Sequence, residues 1–183
     1  MFRPIAFALI AATGLTAVGP AMAADAPVTW TLQTPAGASV SFPEAREGPV
    51  ILLFWATWCP FCKALMPHLQ SIVYEYPGDA LTIYAIHFRD DDGDPVGYMR
   101  ANGFDFTVLL DGGEVAAAYG VHATPGLLVF DRDNHKVFDI YDAMDEFNST
   151  YTLPDGLKNR QKAARKAPFW AAEIRKALDA ASR

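Results

Sequence analysis

The sequence is poor in cysteine: its 183 residues include only Cys59 and Cys62. A disulfide scaffold is thereby excluded, and with two residues between them the pair reads as a reactive site. A basic block is also missing. Lys and Arg number 15 against 21 Asp and Glu, a net charge of −6, so there is no basic stripe of the kind nucleic acid requires. The histidines at 68, 87, 122 and 135 have no helpful ligand spacing, and a zinc site on the cysteines would need further Cys or His partners. No metal and no cofactor are expected. Internal repeats are absent. What is present is 51% apolar and 20% charged, the composition of a soluble globular domain rather than a disordered chain.

The N-terminus reads as an address. Residues 1–24 carry one charge, Arg3, and an apolar run from Ile5 to Val18 is interrupted only by Thr13, Gly14 and Thr16. Gly19-Pro20 then breaks the helix, and Ala21-Met22-Ala23 supplies a small-residue cleavage site. This pattern predicts a signal peptide over 1–23, cleaved after Ala23, and a domain over 24–183 that meets the membrane only in transit. The alternative is an uncleaved anchor, because the segment is long enough to span if Pro20 is disregarded. No cysteine borders the site, which excludes a lipoprotein anchor. The expected destination is the periplasm or the exterior, an oxidising setting in which a thiol pair has redox meaning.

Along the mature chain, Val28–Leu32 and Ala38–Phe42 alternate about Thr34-Pro35-Ala36-Gly37 and predict an N-terminal hairpin. The continuous apolar run from Pro49 to Trp55 predicts a strand buried on both faces. A helix should start at Cys59-Pro60, with proline well placed at its first turn, and end near Pro77-Gly78, kinked at Pro67. A strand over Leu81–Phe88, a helix over 94–102, a short strand over Thr107–Leu110 and a short helix over Gly113–Tyr119 follow. Leu127–Asp131 and Lys136–Tyr141 form a second hairpin. Residues 142–166 read as polar and irregular, and Pro168–Ala181 as a final amphipathic helix. The order of elements predicts an α/β fold with a mixed central sheet flanked by helices.

The chemistry falls at Trp58-Cys59-Pro60-Phe61-Cys62-Lys63. A cysteine at a helix start faces unpaired backbone N–H groups and the positive end of the helix dipole. Both favour the thiolate, so Cys59 should have a lowered pKa, roughly 3.5–7.5 for such motifs. Cys62, one turn further in, should be more buried. Cys59 is therefore the expected nucleophile and Cys62 the resolving thiol. An inert disulfide is the alternative, although closing so small a loop constrains the unfolded chain little.

Phe54-Trp55-Ala56-Thr57-Trp58-Cys59-Pro60-Phe61-Cys62-Lys63, followed by Met66-Pro67, resembles the active-site segment of secreted thioredoxin-like proteins of the TlpA/ResA/DsbE type. Val108–Asp111, Ala118–Val121 and Thr124-Pro125 strengthen the resemblance, which covers about residues 36–140. It implies a thioredoxin-like fold and a thiol–disulfide oxidoreductase, more a reductase than an oxidant, exchanging with protein thiol or disulfide substrates and a separate redox donor. It also implies a cis bond before Pro125, with the Thr124 backbone along the cysteine face, available to pair with an extended substrate. An ordinary loop proline is the alternative. Gly126 departs from the hydroxyl residue common after this proline and is expected to loosen the loop. Two acids used by the wider family as proton relays are missing: Leu53 and Leu65 stand at their positions.

Other residues carry weaker signals. Trp58 should shield the active-site surface, and Phe61 is either an exposed substrate contact or simple packing. Lys63 and His122 are candidate modulators of the thiols, with a solvated loop as the alternative for His122. Asp90-Asp91-Asp92-Gly93-Asp94 invites a calcium reading, but Pro95 and Ala101 stand where the calcium loop needs Gly and Glu, so a solvated loop and helix cap is expected. Asn148-Ser149-Thr150 fits a glycosylation sequon. The competing functional class is a copper-handling protein, with Cys59 and Cys62 holding Cu(I), together with His122. The long stretch before the last helix predicts either an extension packed on the edge of the fold or a surface excursion.

Overall fold

The computed structural model describes residues 28–76 and 80–182. The expected signal peptide and the expected helix end at Pro77-Gly78 lie outside them.

The layout follows from one strand. β3 (Val50–Trp55) is fully buried along its length. Ile51, Leu53 and Trp55 enter one core cluster, while Val50, Leu52 and Phe54 enter another. A strand covered on both faces has no polar side to present, so its sequence is an unbroken apolar run. Burial of each such side chain contributes about 1.5–3 kcal/mol. Around it stand β4 (Thr82–His87), β5 (Thr107–Leu109), β6 (Gly126–Phe130) and β7 (Lys136–Asp139), in the order β5-β4-β3-β6-β7. β4 and β5 run parallel, with Val50 opposite Thr82 and Trp55 opposite His87. β6 runs antiparallel to β3, with Leu53 opposite Leu127, and β7 runs antiparallel to β6. The sheet is therefore mixed, as expected.

α1 (Pro60–Glu75) packs on one face, in the cluster that holds both cysteines. α2 (Pro95–Asn102) joins it through Met99; the Asp94 carboxylate caps its start by accepting the Gly97 N–H at 2.7 Å, and Gly103, at φ 65°, ends it. The other face is covered by α3 (Gly113–Ala118) and by the hairpin β1 (Trp30–Gln33) and β2 (Ser39–Phe42). Trp30 stacks on Phe42 with ring centroids 5.4 Å apart, and the Leu110 N–H donates to the Gln33 carbonyl at 3.0 Å, which ties the hairpin to the end of β5.

The C-terminal third corrects the sequence reading. Residues 142–166 are not irregular: they hold most of α4 (Ile140–Thr150) and the start of α5 (Asn159–Ala181). β7 stops at Asp139 rather than reaching Tyr141, because the Asp139 carboxylate accepts the Tyr141 N–H at 3.1 Å and opens a helix. Ile140, Ala143 and Phe147 then fall on one buried face. The last helix starts nine residues before Pro168. Pro168 looks like a first-turn residue because its ring costs an interior hydrogen bond. The preceding residues are strong helix formers, and burial of Ala163 and Ala167 on the same stripe as Trp170, Ile174 and Leu178 carries the helix through.

Candidate active site

The end of β3 delivers the chain to the start of α1, and the turn between them is tightly tied. The Cys59 N–H donates to the Ala56 carbonyl at 3.1 Å, and Cys59 is the N-cap of α1, with Pro60 in its first turn. Its sulfur accepts the Cys62 N–H at 3.2 Å, doing the work usually given to Ser or Asp at that position. Both thiols are buried and unbridged, but their environments separate them. Cys59 is lowered to about 6: the hydrogen bond from the Cys62 side chain is the largest cause, burial opposes it, and Thr124 and the Cys62 and Phe61 N–H groups add to the lowering. Cys62 is pushed well above the ordinary thiol value, first by burial and then by its bond to Cys59. Leu53 and Leu65, where the relay acids are missing, are fully buried in the same cluster. They supply the apolar surroundings that disfavour a charged Cys62.

Cys59 reaches a cleft of about 340 Å³ lined by Trp58, Phe61, Arg89, His122 and Thr124 among others. Trp58 is 58% exposed and its indole N–H donates to the Arg89 carbonyl at 3.1 Å. Arg89 in turn donates to the His122 carbonyl at 2.7 Å, so three loops are braced around the sulfur. The Thr124–Pro125 bond is cis. Gly126 does not leave slack behind it, contrary to expectation: a Cβ there would come within 2.4 Å of Val121 Cγ1, so Val121 fills the space. Phe61 is not an exposed aromatic. It is half-buried, packed against the core with its ring 6.2 Å from that of Trp170, while still lining the cleft. Lys63 is exposed and lies over the Tyr98 ring at 5.3 Å. His122 is exposed and stacks on Tyr141 at 4.6 Å. Among the described residues no group of three His, Cys, Asp or Glu is placed to hold a metal ion.

Two features escaped the sequence. Asp90 is not solvated: its side chain is only 8% exposed. It accepts the Thr57 N–H at 2.6 Å, the Thr57 hydroxyl, and a bond from His87 Nε2 at 3.1 Å. Burial pushes its carboxyl up, but these bonds outweigh it and leave the group below the usual carboxylate range. Tyr141, from α4, exchanges bonds with the Ala123 N–H and carbonyl at 3.0 and 2.9 Å and so holds the loop before Thr124. Neither had a signal beyond its residue type, because each acts through a partner far away in sequence.

The model of the AhpC/TSA family matches residues 22–139. The soluble secreted antigen MPT53 of Mycobacterium tuberculosis is 31% identical over 135 residues, 73% of this chain and 77% of that protein. The thiol–disulfide oxidoreductase ResA of Halalkalibacterium halodurans is 29% identical over 57% of this chain and 60% of its own length. The crystal structure of a secreted M. tuberculosis disulfide oxidoreductase, homologous to E. coli DsbE, superposes with a TM-score of 0.53 at 25% identity, covering 76% of this chain and 94% of that one. The mixed sheet flanked by helices is thus a thioredoxin-like fold, and the chain belongs to the AhpC/TSA family, among its thioredoxin-like members of the TlpA/ResA/DsbE type.

Proposed function

We propose that the protein is an exported thiol–disulfide oxidoreductase that reduces protein disulfides through Cys59 and Cys62. The observation that carries the reading is the separation of the two thiols, one lowered to about 6 and the other raised, at the start of one helix. In the reduced protein the Cys59 thiolate attacks a substrate disulfide, a mixed disulfide forms, and one substrate sulfur leaves as thiolate. Cys62, once deprotonated, attacks Cys59 Sγ, closes the Cys59–Cys62 disulfide and releases the second substrate thiol. Two electrons pass to the substrate, and an external dithiol donor restores the pair. Thr124 and Trp58 border the sulfur and are the contacts assigned to substrate.

The reducing direction is supported by the lowered Cys59 thiol, which is available as a thiolate at neutral pH to attack a substrate disulfide. Export is supported by the N-terminal apolar segment and by a secreted relative. Replacing Cys59 with Ser should abolish reduction of a model protein disulfide, and replacing Cys62 with Ser should accumulate the mixed disulfide. The reduction potential of the pair should fall nearer to about −270 mV than to about −120 mV. Retained turnover by Cys59→Ser would overturn the mechanism.

A further inference from the structure

The cleft that holds Cys59 has a neighbour. Trp58 and Pro60 also line a second groove, of about 520 Å³, which runs past Lys63 to Arg160 and Ala164 on the first turns of α5. No Asp or Glu lines either one. Their charged residues are Arg89, Lys63 and Arg160, and among the described residues none of the three is ion-paired: Arg89 bonds a backbone carbonyl and Lys63 lies over a ring. The bias runs against the molecule as a whole, which carries −6. The neighbouring cleft at the end of β4 is the opposite: Asp90, Asp91, Asp111 and Glu114 gather there and share Arg89 with the first cleft, so the cationic side of the double cleft is carried by Lys63 and Arg160.

We infer that the double cleft takes an acidic segment of a protein substrate: an extended stretch with its cysteine over Cys59 and carboxylates beside it, along Trp58 toward Lys63 and Arg160. The inference rests on the proposed redox function. A disulfide must enter the first cleft to reach the thiolate, so the residues flanking the substrate cysteine lie along its rim. The rim offers an exposed indole face and, in Lys63 and Arg160, cations with no ion-pair partner among the described residues. Opposite charge across such a contact raises encounter rates and selects partners more than it adds to affinity.

The test uses the full mature protein, reduced, and three peptides. They differ only in the residues flanking a central cysteine, which are Glu, Gln or Lys, and the cysteine is carried as a disulfide with neutral 2-thiopyridine. Cys59 attacks the peptide sulfur, the peptide–Cys59 disulfide forms, and pyridine-2-thione leaves with the electron pair and is read by absorbance. Cys62 then displaces the peptide thiol. At an ionic strength of about 20 mM the Glu peptide should react about fivefold faster than the Gln peptide, and the Lys peptide slower than both. At about 0.5 M salt the three should converge, because screening shortens to a few ångströms. The Glu-to-Lys rate ratio should fall in Arg160→Gln and invert in the double variant Lys63→Glu, Arg160→Glu. Equal rates at low salt would overturn the inference and leave the redox function standing. A Glu preference unmoved by the double variant would overturn the assigned surface. Glutathione disulfide reacting as fast as the Glu peptide would replace the protein segment with a small anionic disulfide. Thione release from none of the peptides would overturn the redox function itself.

Discussion

Two helices begin at the same cleft on opposite physical terms. α1 starts at a buried cysteine whose sulfur is itself the cap, after a turn fastened to the Asp90 carboxylate and on top of a strand with no exposed residue. α5 starts at exposed Asn159 and Arg160, with the Gln161 side chain accepting the Lys158 N–H at 2.9 Å, and meets the core only from Ala163 onward. A buried helix start can separate two thiols in pKa, since desolvation and fixed donors act there at low dielectric. It cannot hold loose charge. The exposed start can carry an unpaired guanidinium in water at little cost, which suits it to meeting a partner. Chemistry and recognition are thus divided between two helix starts joined at Trp58.

Stability should expose the division most strongly. Leu65→Ala opens a void beneath Cys62, where the leucine is fully buried, and should lower the unfolding free energy by about 2–5 kcal/mol. Arg160→Ala at the other start should stay within about 0.5 kcal/mol of the parent. Urea denaturation of both variants measures the contrast, and similar losses would mean that the α5 start is as integral to the fold as α1.

The next effect is kinetic. In the proposed reaction, resolution of the mixed disulfide requires the Cys62 thiolate, and burial raises that thiol well above its usual value. Below its pKa the thiolate fraction grows tenfold per pH unit, so breakdown of a trapped Cys59 mixed disulfide should accelerate by about a hundredfold between pH 6 and pH 8. Leu65→Glu places a base where none now stands and should flatten that dependence, while the carboxyl costs several kcal/mol unless hydrated or protonated. Iodoacetamide should meanwhile label Cys59 of the reduced parent with a midpoint at about pH 6. Identical, pH-independent breakdown in parent and variant would mean that another group supplies the base.

Asp90 tests what holds the buried start in place. Asp90→Asn removes the charge from an acceptor of two Thr57 bonds and one from His87, and should cost about 1–3 kcal/mol. The folded carboxyl is held below its ordinary value. Its contribution is therefore complete above the unfolded value of ~3.9 and is lost as pH falls through the lower folded one. The parent should lose stability over that acid window, and Asp90→Asn should lose less. Acid titration of the urea midpoint reads the difference.

The same contrast decided what could be read from the sequence. β3 was legible because burial on both faces leaves one pattern, and the cysteine pair because its spacing and Pro60 mark a helix start. The hairpin β1–β2 followed from alternation about Gly37. α4 and the front of α5 were not legible. Their buried stripes contain Ala143, Ala163 and Ala167, which carry little hydrophobic signal, and Pro168 mimics the first turn it does not occupy. Phe61 was ambiguous because one aromatic ring can both pack on Trp170 and line a cleft. Asp90 was not legible because an acidic run looks solvated unless its partners, Thr57 and His87, are known to be near.

The smallest expected effect lies where the two regions touch. Tyr141 belongs to α4, yet its hydroxyl bonds both backbone groups of Ala123, one residue before Thr124, and its ring stacks on His122. α4 thus reaches the loop beside Cys59 through the Tyr141 side chain. Tyr141→Phe keeps the ring and removes the hydroxyl. Ala123 is exposed, so water can take over its N–H and carbonyl, and the loss should be about 0.5–1.5 kcal/mol at most. The pKa of Cys59 depends on Thr124 as well as on α1. If the hydroxyl is what holds that loop, the iodoacetamide midpoint should move up from about 6 in Tyr141→Phe, while Arg160→Ala leaves it unchanged. An unchanged midpoint in both would mean that α1 alone sets the thiol, and that the C-terminal helices shape the cleft without touching its chemistry.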